Sequence, residues 1–294
     1  MRKEFVEIVE KIFKKDKKII LLLCDIGVHG FKNLFSKEPK RALNIGILEQ
    51  STISFAAGLS KSGYIPTVHT IAPFIVARAF EQLKIDFGYQ KLRGNFVTVG
   101  GSYDYAALGC THHCPEDINL INNIPFFQIV VPGNSYEFSQ LFLQSYNNKF
   151  ATYFRLSAEE NKNKIKVKFG KANIIQKGNK AIIIAIGPVL NHIISFIKKY
   201  DVSLIYYTTL KPFDKKILLK LKQGFSKILI IEQFYSGTTN NEILEVFKNK
   251  IIIKNICVPK LFLNNYGSKK EHDNKLGFTS RKIEKQIINF LKTS

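Results

Sequence analysis

At 294 residues, 45% of them hydrophobic, the chain is long enough for roughly two domains with buried cores. It carries 44 Lys and Arg residues against 23 Asp and Glu residues, a formal net charge of +21, but these are scattered without interleaved aromatic residues, so the charge favours small anionic substrates over nucleic acid. No apolar run reaches the ~18 residues of a membrane span and no signal peptide is recognisable, so we expect a cytoplasmic protein with reduced thiols and no membrane contact.

The first half of the chain alternates between helix and strand patterns. Apolar residues between Phe5 and Phe13 recur at helical spacing, and Ile19–Cys24 is a continuous apolar run typical of a buried parallel strand. Further strands are predicted at 42–47, 67–71, 95–100, 126–131 and 151–155, with helices at 49–60, 73–88, 116–122 and 135–147. This alternation predicts an α/β domain with a mainly parallel sheet flanked by helices, whose ligands bind at loops such as 101–115.

The second half repeats the pattern after a polar segment, SAEENKNKIKVK at 157–168. We place the domain boundary there and divide the chain into domains 1–160 and 161–294. Strands are predicted at 181–186, 202–207, 228–232 and 251–258, and helices at 190–200, 214–222, 240–247 and 280–291. The second domain is therefore also expected to be α/β with a mainly parallel sheet.

One acidic residue occupies a strand-to-helix junction. Glu49 follows the predicted strand 42–47, which Gly46 interrupts, and it begins a helix rich in small residues from Ser51 to Leu59. An acid among apolar and small neighbours is expected to be poorly solvated, which favours a role in proton chemistry. The alternative is a glutamate that only stabilises the helix start through the helix dipole.

A cluster of possible metal ligands lies at 110–114, which reads CTHHC. Four ligands within five residues are too crowded for one tetrahedral site, and no second C-x-x-C or H-x-x-x-H pair supports zinc. We therefore expect no metal site built by this chain.

Two segments show a family resemblance. Residues 41–82, which begin RALNIGILEQ, and residues 109–134, which begin GCTHHCPEDINL, resemble in order and spacing the pyrimidine-binding domain of thiamine-diphosphate enzymes of the transketolase and deoxyxylulose-phosphate synthase group. The resemblance runs from about Lys18 to Phe290, so it also implies a transketolase C-terminal-like domain. In that domain the family usually has a glycine-rich segment. The corresponding segment here reads EQFYSGTTNNE and contains a single glycine, Gly237.

The resemblance implies catalytic roles for Glu49 and His112. In the family the glutamate hydrogen-bonds the aminopyrimidine ring and activates the cofactor, and the histidine of a T-H-Q motif approaches the thiazolium and the substrate. Phe74 stands where the family has an aromatic residue against the pyrimidine ring, although core packing explains it equally well. The motif here reads T-H-H, with His113 in place of glutamine, and a solvent-exposed loop histidine is the alternative for His112.

Substrate contacts are implied at three positions. Arg155 matches an arginine that holds a sugar phosphate or hydroxyl, for which a planar guanidinium is suited, and His29 stands where some members have a serine for the donor phosphate. His112 also faces substrate oxygens. Leu108 stands where transketolases have an aspartate that bonds a substrate hydroxyl. The sequence therefore does not identify which sugar is the substrate. Arg78 could form an ion pair at a subunit interface or belong to the active site, and we assign it no role.

The motif that holds the diphosphate is missing. Family members bind Mg²⁺ through a G-D-G segment followed by N-N, and this sequence contains no G-D-G. The resemblance therefore implies the C-terminal subunit of a two-component transketolase, which transfers a two-carbon ketol unit between sugars or sugar phosphates. Thiamine diphosphate and Mg²⁺ would be held mainly by an N-terminal-type partner, in a homodimerising or α₂β₂ assembly. The alternatives are the β-subunit of a 2-oxoacid dehydrogenase or related decarboxylating enzyme, and a non-catalytic scaffold.

Overall fold

In the computed structural model, which describes residues 1–248 and 250–292, the chain forms two sheets with helices on their faces. The helices are α1 (Arg2–Lys15), α2 (Lys32–Lys37), α3 (Glu49–Lys61), α4 (Ala72–Val76), α5 (Phe80–Gln82), α6 (Asp117–Asn122), α7 (Ser135–Ser145), α8 (Lys215–Leu221), α9 (Asn240–Phe247), α10 (Lys269–Leu276) and α11 (Ser280–Lys292). The strands are β1 (Ile19–Leu23), β2 (Ala42–Asn44), β3 (Ile65–Ile71), β4 (Gly94–Val99), β5 (Gln128–Val130), β6 (Ala151–Arg155), β7 (Asn173–Gln176), β8 (Ile182–Ile186), β9 (Ser203–Tyr207), β10 (Thr209–Lys211), β11 (Lys227–Tyr235) and β12 (Ile252–Val258).

The first sheet has seven strands in the order β10-β5-β6-β4-β3-β1-β2. The strands from the first half of the chain pair in parallel, because helices cross over between them. Register pairs Leu23 with His69, Ile71 with Val99 and Thr98 with Arg155, so the carboxyl ends meet at one edge. β10, which the sequence did not predict, comes from the second half and adds antiparallel to β5.

The second sheet has five strands in the order β12-β11-β8-β9-β7. β7 is an antiparallel edge strand that the sequence did not predict, and the other pairings are parallel. The predicted α/β class with two mainly parallel sheets is therefore confirmed. Over residues 1–248 and 250–292, the structure contains no helix with the length and apolar character needed to cross a bilayer.

The predicted helix 73–88 is interrupted. α4 ends at Val76, and the amides of Ala77 and Arg78 both donate to the carbonyl of Pro73, at 2.9 and 3.2 Å. The second of these bonds spans five residues, the π-type spacing that widens a helical turn. A separate π-helical stretch follows at Leu83–Tyr89. The widened turn decides where the Arg78 side chain emerges.

One further predicted helix was wrong, and one helix was not predicted. Residues 190–200 form 3₁₀ turns at Gly187–His192 and Ile197–Lys199, because isoleucines and asparagine in this stretch are poor helix formers. The helix α10 was missed because it is almost entirely polar. Its signal was the capping box of Ser268 and Glu271, in which each side chain pairs with the backbone of the other.

Candidate active site

Glu49 lies at the predicted junction, as the first residue of α3. Its side chain is 1% exposed. Arg78 Nη1 donates to Glu49 Oε2 over 2.7 Å, and the Thr70 hydroxyl, at the carboxyl end of β3, donates to Oε1 over a longer 3.4 Å. The carboxylate is therefore fixed on one oxygen and more weakly held on the other, which leaves Oε1 able to bond an additional polar group.

Arg78 joins Glu49 to the predicted aromatic residue. Its guanidinium lies over the ring of Phe74, 4.3 Å from the ring centre, while it forms the ion pair with Glu49. Arg78 is 41% exposed and Phe74 is half-buried, so both present a face at the surface. A cation over an aromatic face is attracted by the ring quadrupole, which keeps the arginine in place. The sequence left Arg78 open, and the structure places it between the two predicted cofactor residues.

His112 lies on a 3₁₀ turn, Cys110–His112, next to the same group. Its ring meets Phe74 edge-on, with ring centres 5.3 Å apart, and faces Tyr105 at 6.3 Å. The Thr111 hydroxyl is 2.9 Å from His112 Nδ1, which orients the imidazole. The structure thus brings together three of the predicted site residues, Glu49, Phe74 and His112.

Tyr105 extends the site and was missed by sequence reasoning. A Cβ atom at Gly100 would lie 2.4 Å from the Tyr105 ring, and the φ of Gly100 is +75°, so this packing requires glycine. The Gly100–Gly101 pair was thus a signal for close approach by a side chain. On its other side, the Tyr105 hydroxyl accepts a hydrogen bond from the Arg2 guanidinium.

Two cavities meet at Arg2. One of about 340 Å³ lies at the carboxyl ends of β4 and β6 and is lined by residues that include Arg2, Tyr105 and Ser157. The other, of about 740 Å³, is lined by residues that include Arg2 and His29. His29 is exposed, and the lining of its cavity does not include Glu49, Phe74 or His112. The sequence did not predict at which end of the sheet α1 would place Arg2.

Arg155, the predicted substrate contact, lies in buried surroundings. The residue is 2% exposed, its Nε donates to Asp117 Oδ2 over 2.7 Å, and its Nη2 donates to the Gln233 carbonyl over 3.0 Å. Asp117 is fully buried and also accepts the Tyr153 hydroxyl at 3.1 Å. Gln233 and Phe234, near the end of β11, contact the Arg155 side chain, and the sequence did not predict this approach. This geometry gives Arg155 a buried structural partner and leaves little of its side chain exposed.

His113, the histidine that replaces the expected glutamine, points inward. It is 7% exposed and meets the ring of His272 edge-on, with centres 5.5 Å apart. Burial, followed by the nearby His272 and His112, lowers the pKa of His113, so its neutral form is favoured. It is therefore part of the packing beneath the loop that carries His112.

Comparison with known proteins decides the family. Residues 1–163 match the transketolase pyrimidine-binding domain, and residues 170–283 match the transketolase C-terminal domain. The chain belongs to the transketolase family. The resemblance read from residues 41–82 and 109–134 is thereby confirmed, and the two α/β domains of this transketolase-family chain are those of the family.

The relatives differ in length. An uncharacterized 33.6 kDa protein in the fasciation locus of Rhodococcoides fascians is 30% identical, with 94% of this chain and 90% of that protein covered. One of the subunits of an apulose-4-phosphate transketolase from Phocaeicola vulgatus is 26% identical, with 88% and 87% covered. By contrast, the chain spans 47% of the 1-deoxy-D-xylulose-5-phosphate synthase of Buchnera aphidicola, at 29% identity. A split gene transketolase, solved as an inactive beta4 tetramer, shares the fold, with a TM-score of 0.84 at 22% identity over 99% of this chain and 97% of that one.

Proposed function

We propose that this chain is the pyrimidine-binding, C-terminal subunit of a two-component transketolase, which transfers a two-carbon ketol unit between sugar-type substrates. The observation that carries the proposal is the buried Glu49 carboxylate, held by Arg78 beside Phe74 and His112 at the carboxyl edge of a transketolase-family sheet. The apulose-4-phosphate transketolase relative, which is itself named as a subunit and is covered over 87% of its length, supports the two-component assignment.

The residues present fit thiamine diphosphate at its pyrimidine end. Oε1 of Glu49, bonded at 3.4 Å by Thr70, can share a proton with a ring nitrogen of the cofactor, and the half-buried Phe74 ring offers an apolar face. When bound, thiamine diphosphate supplies the nucleophilic carbon that carries the two-carbon unit. Arg78 fixes the orientation of the Glu49 carboxylate, and His112 holds or moves a proton at the substrate oxygens.

The diphosphate and its Mg²⁺ are assigned to a partner. Mg²⁺ needs near-octahedral oxygen ligands, commonly carboxylates together with phosphates. In the described part of the chain, no three His, Cys, Asp or Glu side chains are grouped to hold a metal ion. We therefore place those ligands on an N-terminal-type subunit in an α₂β₂ assembly in the cytoplasm. The division into domains 1–160 and 161–294 is also proposed, because no helix or strand lies between β6 and β7.

The anionic part of the substrate is assigned to Arg2 and His29 in place of Arg155. Arg2 lines both cavities at the carboxyl edge, and His29 lines the larger one. Loops at this edge are where open α/β sheets bind ligands. An exposed guanidinium there can pair with a phosphate, for which its planar fork is well suited.

The test is the Glu49→Gln variant assembled with the partner subunit from the same genome. We expect loss of the exchange of the cofactor C2 proton, and ketol transfer lower by several powers of ten, at 1.36 kcal/mol per tenfold. The matched control is Glu38→Gln, because Glu38 also pairs with an arginine, Arg41, but away from the site. Exchange at the wild-type rate in Glu49→Gln would contradict the proposal, and CO₂ release from pyruvate by the wild type would favour the decarboxylating alternative.

A further inference from the structure

The loop that carries His112 is closed at its base within the first domain. Ser102 and Cys114 form an isolated antiparallel bridge, in which the Cys114 amide donates to the Ser102 carbonyl at 2.6 Å and the Ser102 amide donates to the Cys114 carbonyl at 3.1 Å. Between these residues the loop has 3₁₀ turns rather than a regular helix or strand. Its shape between residues 102 and 114 therefore depends on what packs against it.

The packing partner is α10, from the second half of the chain. Tyr103 is fully buried, and its hydroxyl donates to Asp273 Oδ1 over 2.7 Å. The Tyr103 ring stacks on His272, with centres 5.4 Å apart and planes 27° apart. His272 in turn meets His113, the neighbour of His112. One helix thus contacts the loop near its start and beside its catalytic candidate.

Asp273 is a fixed acceptor. Lys269 Nζ donates to it over 2.9 Å, and the same ammonium group donates to Glu159 over 2.9 Å. Burial, followed by the Asp273 charge, raises the pKa of Tyr103, so the phenol remains a hydrogen-bond donor at physiological pH. The bond between Tyr103 and Asp273 is therefore buried, charge-assisted and insensitive to moderate changes in pH.

A second contact from the same region covers the loop. The Tyr266 ring packs against Gly109. A Cβ atom at position 109 would lie 2.6 Å from that ring, and the φ of Gly109 is +72°, so this contact favours glycine. The carbonyl of Gly109 accepts the amide of His112 over 3.0 Å. Gly109, which accepts the hydrogen bond from the His112 amide, thus contacts the segment that precedes α10.

We propose that Tyr103 and Asp273 are positioning residues for His112, so that α10 of the second domain sets the shape of the loop at the active site of the first. The inference rests on the proposed function in one respect, the catalytic role of His112. It assigns the C-terminal domain a task in the reaction that involves no direct contact with substrate.

The test uses the full chain with Tyr103→Phe, which removes one hydroxyl. The matched control is Tyr146→Phe, because the Tyr146 hydroxyl also bonds an aspartate, Asp16, at 3.3 Å, on another part of the first domain. In Tyr103→Phe we expect backbone amide exchange in 102–114 to accelerate about fivefold to tenfold, the range that loss of one hydrogen bond supports. In chain labelled at histidine and phenylalanine, the NOE between the His112 and Phe74 rings should weaken.

A second variant shows whether the two residues act together. If Tyr103 acts through Asp273, adding Tyr103→Phe to Asp273→Ala should change the exchange in 102–114 by less than twofold, because coupled residues are not additive. With the partner present, Tyr103→Phe should lower kcat several-fold and leave the KM for the donor sugar nearly unchanged. A purely structural residue would lower thermal stability without these local changes.

The outcomes separate this inference from the proposed function. Unchanged exchange in 102–114 and an unchanged NOE in Tyr103→Phe overturn the positioning role, whatever the activity of the assembled enzyme. Accelerated exchange confined to the loop, with the Tyr146→Phe control unaffected, supports the positioning role. If the wild-type chain then shows no ketol transfer with its partner, the proposed function fails while the contact between α10 and the loop stands.

Discussion

Two arginines at the carboxyl edge of the first sheet have opposite surroundings. Arg155 is buried against Asp117, whereas Arg2 is exposed and lines both cavities. A substrate phosphate at Arg155 would compete with the buried ion pair to Asp117, and a buried pair is costly to break. The residue type alone made Arg155 a candidate phosphate ligand, and the difference in surroundings is why we propose that role for Arg2 instead.

Arg155→Ala is expected to destabilise the protein without altering substrate preference. Removing one member of a buried pair leaves the other charge unpaired, which costs about 3–5 kcal/mol. Urea unfolding measures the loss, with exposed Arg281→Ala as the control. A rise in KM for a phosphorylated substrate that exceeds the rise for its unphosphorylated analogue would return Arg155 to the site.

Arg2→Ala is expected to have the reverse pattern. Because Arg2 is exposed, its loss should leave the free energy of unfolding nearly unchanged. Loss of a charge-assisted bond of about 1.5–3 kcal/mol should raise KM for the phosphorylated substrate by one to two powers of ten. Steady-state kinetics with both substrates, and Lys11→Ala on the same helix as the control, provide the comparison. Equal effects on both substrates would mean that Arg2 acts through Tyr105 rather than on phosphate.

The residues of the site could be predicted from the sequence to different extents. Glu49 and His112 stand in segments whose order is specific, so the sequence located them without the fold. Arg78 and Tyr105 depend on a widened turn and on a close approach to Gly100, which only the folded backbone shows. Arg2 could not be predicted, since its place depends on how α1 lies across the sheet.

At the level of elements, local patterns succeeded where one periodicity dominated. The strand at 151–155 and the helix at 240–247 were predicted with the bounds that the structure shows. The strand is a short segment buried along its whole length, and the helix has an apolar face with buried Ile243, Val246 and Phe247. α10 has a polar surface, and its place is set by tertiary contacts such as Tyr103 to Asp273 rather than by an apolar stripe. β10 was missed because a three-residue strand carries too little pattern of its own.

The second sheet is expected to lose stability as pH rises. Glu232, on β11, is fully buried, and burial raises its pKa to about 8, with Asn255 as its hydrogen-bond partner. The unfolded chain releases this proton near pH 4.3 and the folded chain retains it up to about 8. Stability should therefore fall between those pH values, by roughly 5 kcal/mol at most, and level off above them.

Glu232→Gln should reduce this slope, because glutamine mimics the protonated acid. Part of the slope should remain, because burial also raises the pKa of Glu137 to about 7. Urea unfolding at pH 5.5 and 8.5 measures it, and Glu245→Gln, at a position that is 67% exposed, is the control. A slope in Glu232→Gln equal to that of the wild type would mean that Glu232 already releases its proton in the folded chain at acidic pH.

At the scale of the whole molecule, the candidate active site lies on the carboxyl edge of the first sheet rather than in an enclosed pocket. Glu49, Phe74 and Arg78 provide one carboxylate, one aromatic face and one cation. Among the described residues, no three His, Cys, Asp or Glu side chains are grouped to hold a metal ion. A multiply charged diphosphate needs a bridging metal, and that metal needs oxygen ligands from elsewhere. In the proposed two-component enzyme, a second subunit therefore faces this surface and supplies those ligands.

The isolated chain is accordingly expected to bind thiamine diphosphate with Mg²⁺ only weakly. A hydrogen bond to Glu49 contributes about 1.5–3 kcal/mol and a contact with Phe74 about 0.5–1.5 kcal/mol, before any cost of ordering. Their sum of at most about 4.5 kcal/mol corresponds to millimolar affinity. Calorimetry on the chain alone and on the assembled complex measures the difference, with Glu49→Gln in the complex to show that the pyrimidine contact contributes. Micromolar binding by the chain alone would contradict the two-component assignment, because the diphosphate site would then lie within these residues.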